Sequence, residues 1–149
     1  MKLRLDALLA ATLAFSPAVW ADLVFKDDTG YEVRLKAPAK RIVTLAPHAA
    51  ESLFAAGAGS KLVGTVDYSD YPPEAKKVAR VGGYSRIDLE AVAALKPDLV
   101  LAWQSGNNTT QVDKLRGLGL TVYVSQPNTI ETVADLIERL GLLALAFDL

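Results

Sequence analysis

Three aromatic side chains, Tyr68, Tyr84 and Trp103, stand where stacking chemistry is possible. Trp103 closes the apolar run Asp98 to Ala102 and is followed by Gln104, Ser105, Gly106 and Asn107, so a large ring sits where a strand opens into a polar, flexible loop. A tryptophan serving only the core would sit inside the run. Tyr68 follows a second apolar run, Leu62 to Val66, within Asp67-Tyr68-Ser69-Asp70-Tyr71-Pro72-Pro73, and Tyr84 follows Gly82-Gly83. Aromatic rings offer broad, largely apolar faces, so three of them on one rim would suit a wide, flat, partly apolar ligand. Taken singly, each tyrosine is as well explained by core packing, and Trp103 carries the argument.

Catalytic chemistry finds little support. The chain has no cysteine, one histidine and no Gly-x-Ser-x-Gly elbow, and His48 alone cannot build a zinc cluster or a catalytic pair. It reads as a polar residue near a helix start. Asp67, Asp70 and Glu90 read, on residue type alone, as solvated surface. Gly57 and Gly59 follow a helix instead of joining a strand to one, which makes them a helix stop and not a phosphate loop. With 16 Lys and Arg against 17 Asp and Glu, the formal net charge is −1 and there is no basic footprint for nucleic acid. Two overlapping glycosylation sequons at Asn107 and Asn108 match a motif that is frequent by chance.

The elements that must position the rings alternate regularly. Leu23 to Lys36 reads as a β-hairpin turning at Asp27-Asp28-Thr29-Gly30. Ile42 to Leu45 is a first sheet strand, followed by a helix from Pro47 to Ala56. Leu62 to Val66 is a second strand, Glu74 to Val78 a single helical turn, and Leu89 to Leu95 a helix capped by Asp88 and stopped before Pro97. Asp98 to Ala102, a helix over Gln111 to Leu118, a strand over Leu120 to Ser125, and a helix from Thr129 or Ile130 to about Leu140 complete the pattern, the last with Asn128 and Glu131 at capping-box spacing. This alternation predicts an α/β fold, a mostly parallel sheet with helices on both faces and right-handed crossovers. Parallel strands put their carboxyl ends on one edge, where ligands bind in such sheets. Tyr68 and Trp103 should therefore share a rim, with Tyr84 able to reach it.

Residues 1–21 have the layout of a cleaved export signal: Lys2 and Arg4, an apolar core from Ala7 to Phe15, and small residues before Ala21. The apolar core is well short of the roughly 20 residues a spanning helix needs. Residues 22–149 then form one domain. A cysteine-free exported chain fits a bacterial periplasm, and its fold must rest on its apolar core.

The run Arg41 to Pro47, the helix end Leu53-Phe54-Ala55-Ala56-Gly57-Ala58-Gly59, the loop Tyr68 to Pro73 and, above all, Ala94 to Trp103 resemble the periplasmic cobalamin-binding proteins of ABC importers. More broadly they resemble the helical-backbone metal receptors that also carry ferric siderophores and haem. The resemblance extends to about Leu143. It implies transport without catalysis, with cobalamin or a related corrinoid as the carried ligand and no resident cofactor, in the periplasm, for delivery to an ABC permease. It implies that Tyr68 and Trp103 face the corrin and that Tyr84 occupies a position where the family has tryptophan. Glu90 matches a surface acid that pairs with a permease arginine during docking. No cobalt-ligand role follows for His48. Family members continue into a connecting helix and a second α/β lobe, so the sequence reads as the N-terminal lobe alone. If a complete cleft binds at about −12 kcal/mol and one lobe keeps half, the remainder corresponds to an affinity between micromolar and millimolar. Haem or ferric-siderophore binding, and a flavodoxin-like enzyme, are the alternatives.

Overall fold

The computed structural model describes residues 21–145. The predicted export signal, apart from Ala21, lies outside them. Strands β1 (Leu23–Lys26) and β2 (Glu32–Leu35) form the expected antiparallel hairpin. Its turn is organised by Asp27, whose Oδ1 accepts the backbone N–H groups of Thr29 and Tyr31, each at 2.9 Å.

Five strands form the main sheet: β3 (Ile42–Thr44), β4 (Leu62–Thr65), β5 (Ala79–Arg80), β8 (Leu99–Trp103) and β9 (Val122–Ser125). Their order is β5-β4-β3-β8-β9, and every neighbouring pair is parallel. The two-residue β5 is an edge strand that periodicity could not reveal. A small ribbon, β6 (Gly82–Gly83) with β7 (Arg86–Ile87), carries Tyr84 in its turn.

Helices α1 (Pro47–Ala55), α2 (Leu89–Ala94), α3 (Thr109–Gly117) and α4 (Ile130–Leu145) cover the sheet. Strand alternation sorts the core into two layers. Ile42, Leu99, Leu101 and Tyr123 face one side with Ala50 and Leu53 of α1 and Leu136, Leu140 and Leu143 of α4. Val43, Val100, Ala102, Val122 and Val124 face the other with Val92 of α2 and Val112 and Leu115 of α3. Gly57, at φ +80°, ends α1 as expected, its N–H bonded to the Phe54 carbonyl at 2.9 Å.

Two expectations about α4 need correction. The helix does not end near Leu140: it continues through Gly141 to Leu145, because Leu143 and Ala144 extend the buried stripe begun by Leu136 and Leu140. Its start is not closed by an Asn128–Glu131 pair. Thr129 Oγ1 accepts the Thr132 N–H at 3.3 Å while Thr132 Oγ1 accepts the N–H groups of Asn128 and Thr129, each at 2.9 Å.

Candidate functional site

β3 is first of the five strands in the chain, and the sheet grows outward from it in both directions. The topological switch point therefore lies between the carboxyl ends of β3 and β8, the place where open α/β sheets bind ligands. His48 follows β3 and Trp103 ends β8. Their rings meet there edge to face, with centroids 5.2 Å apart and planes at 83°.

Trp103 continues the odd-numbered row Leu99, Leu101, so its ring is turned toward the layer of α1 and α4. It is half-buried. Gly106 makes room for it: a Cβ on Gly106 would sit 1.8 Å from Trp103 Cε3. On the rim, the Tyr84 ring lies 5.9 Å from the indole centroid, tilted by 54°. Tyr84 is 42 % exposed, which leaves it free to meet a ligand. The structure thus brings together two of the three aromatic residues picked out by sequence.

Tyr68 stands on the same edge but makes no ring pair with Trp103. β4 and β8 flank β3, so their ends are separated by about 10 Å at the usual strand spacing. Tyr68 is 80 % exposed and holds a left-handed φ of 65°. The segment around it is tied down from beneath. Thr44 Oγ1, Thr65 Oγ1 and the buried Ser69 Oγ form a hydroxyl chain with both links at 2.8 Å. Arg80 donates to the Ser69 and Ala75 carbonyls at 3.1 and 3.3 Å and pairs with Asp70 at 3.3 Å. The tyrosine is thus an exposed ring on an anchored backbone.

Beside Trp103 opens a cleft of about 580 Å³ between α1 and α4, lined chiefly by His48, Glu51, Tyr71, Trp103, Pro127 and Ile137. Among the described residues no lysine or arginine lines it. The buried Nε2 of His48 has no hydrogen-bond partner among the described residues, and burial lowers the imidazole pKa from its ordinary 6.5, which favours the neutral ring. Among the described residues no group of three or more His, Cys, Asp or Glu could hold a metal ion. The arrangement can stack and enclose a flat, uncharged surface.

The segment after Trp103 is not the flexible loop expected. Asn107 is buried, its Oδ1 accepts the Trp103 N–H at 2.6 Å, and its Nδ2 donates to the carbonyls of Leu45 and Tyr84 at 2.8 and 2.7 Å. The Gln104 and Ser105 N–H groups bond to Ser125 O and Gln126 Oε1, both at 3.0 Å. Asn107, Gly106, Tyr71 and the cleft-lining part of His48 were not marked as site residues by sequence. The Gly-Asn pair one turn past a strand-end tryptophan was the available signal.

Glu90 is exposed in the first turn of α2, where the Asp88 side chain caps by accepting the Ala91 N–H at 3.0 Å. α2 leads into the amino end of β8 and so begins on the carboxyl-end side of the sheet. Glu90 belongs to the α2 and α3 layer, apart from the cleft.

Residues 42–145 match the family model described as periplasmic binding protein. The chain belongs to that family. It is 50 % identical over 104 residues to the vitamin B12-binding protein of Vibrio cholerae serotype O1, a match covering 70 % of this chain and 38 % of that protein. The crystal structure of the periplasmic vitamin B12 binding protein of V. cholerae superposes with a TM-score of 0.69 at 48 % identity, over 72 % of this chain and 42 % of the other. A periplasmic heme binding protein from Pseudomonas aeruginosa superposes with a TM-score of 0.65 at 27 % identity, over 69 % and 37 %. The chain thus spans about two fifths of the length of these relatives. The expected α/β architecture, with its parallel sheet and helices on both faces, is the one observed.

Proposed function

We propose that this chain is a ligand-binding lobe of an ABC importer's substrate-binding protein, taking cobalamin or a related corrinoid. Residues 22–149 form the lobe in this reading and residues 1–21 an export signal, with the loaded protein acting in the periplasm and catalysing nothing. Tyr68, Tyr84 and Trp103 contact the macrocycle, and Glu90 is the acid that meets the permease.

The observation that carries the reading is the Tyr84–Trp103 wall at the switch point beside a cleft that no lysine or arginine of the described residues lines. A flat macrocycle stacks on such a wall. Haem presents two propionates, which call for Arg or Lys partners, whereas a corrinoid presents neutral amides around its ring. The half-identical vitamin B12-binding relative supports the same choice. The fold shared with a heme binding protein keeps haem as the second reading.

Isothermal titration calorimetry of the purified chain with cyanocobalamin, haemin and a ferric siderophore tests the assignment. Saturable heat of cyanocobalamin binding, lost or strongly weakened in Trp103→Ala, is expected. Tighter binding of haemin or of the siderophore, or equal cyanocobalamin binding by Trp103→Ala, refutes it.

A further inference from the structure

One buried carboxamide joins three separate elements at the candidate site. Asn107 bonds to Leu45 just past β3, to Tyr84 in the turn of the β6–β7 ribbon, and to Trp103 at the end of β8. These are the strand end carrying His48 and the two backbone positions that bear the aromatic wall. Its own N–H closes the turn on the Trp103 carbonyl at 2.9 Å.

Asparagine fits this position for a chemical reason. The partners are two carbonyls and one N–H, so the side chain must supply two donors and one acceptor at one branched terminus. Those partners also fix which terminal atom is oxygen. Aspartate would set carboxylate oxygens against two carbonyls, serine lacks the second arm, and glutamine is one methylene too long. Asn107 is only 7 % exposed, so its influence on a ligand must pass through the rings it holds.

We infer that Asn107 is the positioning residue of the aromatic wall, fixing the spacing of Tyr84 and Trp103 so that both rings meet one ligand; this rests on the reading of that wall as the ligand seat. The Tyr84 side chain is half out in solvent and its ribbon has only two residues in each strand. So short a ribbon does not hold itself; its strands are anchored by Gln111, which accepts the Ile87 N–H at 3.2 Å and donates to the Ile87 carbonyl at 3.0 Å, and by the Asp67 N–H on the Gly82 carbonyl at 2.9 Å. The Asn107 Nδ2 bond to the Tyr84 carbonyl is the tie made at the turn itself, where the ring is carried. Without it the Tyr84 ring leaves the indole, although the five-stranded core is untouched.

The test uses the full chain carrying Trp20→Phe, which leaves Trp103 as the sole tryptophan. Asn107→Asp is compared with the parent for near-ultraviolet circular dichroism and acrylamide quenching of Trp103, for cyanocobalamin affinity, and for urea unfolding. The expected result is a changed Trp103 signal and a loss of affinity of tenfold or more, shrinking to under twofold when Tyr84→Ala is already present. An equal loss with and without the Tyr84 ring, or an unaltered Trp103 signal, overturns the inference. If the parent chain fails to bind cyanocobalamin, the corrinoid reading falls while the ligand-free Trp103 measurements still decide whether Asn107 positions the wall. Should Asn107→Asp not fold, Asn107→Ser, which keeps one donor, takes its place with the same expected outcomes.

Discussion

Gly106→Ala puts a single methyl group where the Trp103 indole lies. The added carbon would meet Cε3 at 1.8 Å, Cζ3 at 2.1 Å and Cδ2 at 2.5 Å. No small adjustment removes three such overlaps, so the ring must swing away. Leaving its place forfeits the edge contact with His48 and the tilted contact with Tyr84. Aromatic pairs are worth about 0.5–1.5 kcal/mol each beyond burial, giving a loss of about 1–3 kcal/mol. For a domain of this size each kcal/mol lowers the thermal midpoint by roughly 3–6 °C. If the indole is the face a corrinoid meets, losing that one stacking contact, about 0.5–1.5 kcal/mol, lowers affinity by about twofold to tenfold, since 1.4 kcal/mol is a decade. The control is Gly117→Ala, at the end of α3, where an added Cβ meets nothing within 4 Å. Thermal melts, Trp103 emission in the Trp20→Phe background and cyanocobalamin titration read the three consequences. If Gly106→Ala behaves like Gly117→Ala in all of them, the seating of Trp103 against the turn is wrong.

The His48 imidazole, held neutral by burial, makes stability depend on pH. The unfolded chain takes up its proton near pH 6.5 and the folded chain only below that, so stability is complete above pH 6.5, falls as the pH drops, and levels off below the folded-state pKa; urea unfolding from pH 7 to 5 should cost the parent more stability than His48→Gln, and parallel curves would refute it. Arg139 Nη1 donates to the Tyr123 hydroxyl at 2.8 Å and to Asp28 Oδ1 at 2.9 Å. Arg139→Met should therefore destabilise by about 1–3 kcal/mol, with part recovered by adding Tyr123→Phe; denaturant unfolding of the two chains measures it. Asp98 accepts the backbone N–H groups of Lys40 and Arg41, both at 2.9 Å, fixing the entry to β3. Asp98→Ala should cost about 1–2 kcal/mol in the same assay, because the charged acceptor is exposed.

The sheet and its two helical layers were readable because each depends on local periodicity. Leu99 to Trp103 alternates between the two core layers, Asp88 caps α2, and the Asp27 turn closes the hairpin, each through residues within a few positions of one another. What escaped depends on distance along the chain. Asn107 meets Leu45 across 62 positions and Tyr84 across 23, and no local rule connects them. The polar tetrapeptide after Trp103 therefore looked flexible when it is a clamp. β5 escaped because two residues carry no period, and α4 was expected to end at about Leu140, although the buried stripe runs past it to Leu143 and Ala144. The cleft escaped because α1 and α4, separated by a large part of the chain, build it together.

The placement of Trp103 follows from strand parity. In β8 the odd positions face α1 and α4 and the even ones face α2 and α3. A tryptophan at 102 would turn its ring into the α2 and α3 layer, away from His48 and the cleft. A tryptophan at 101 would be buried in the core, as Leu101 is at 1 % exposure. Position 103 is the first on the correct side that also reaches the sheet edge, where one face packs and the other is available. Gly106 then gives the indole its room and Asn107 fixes the strand end from which it projects. An isolated exposed ring would lose stacking energy to its own motion on meeting a ligand; one held by sheet parity, a glycine and a buried carboxamide has that ordering cost already met in folding.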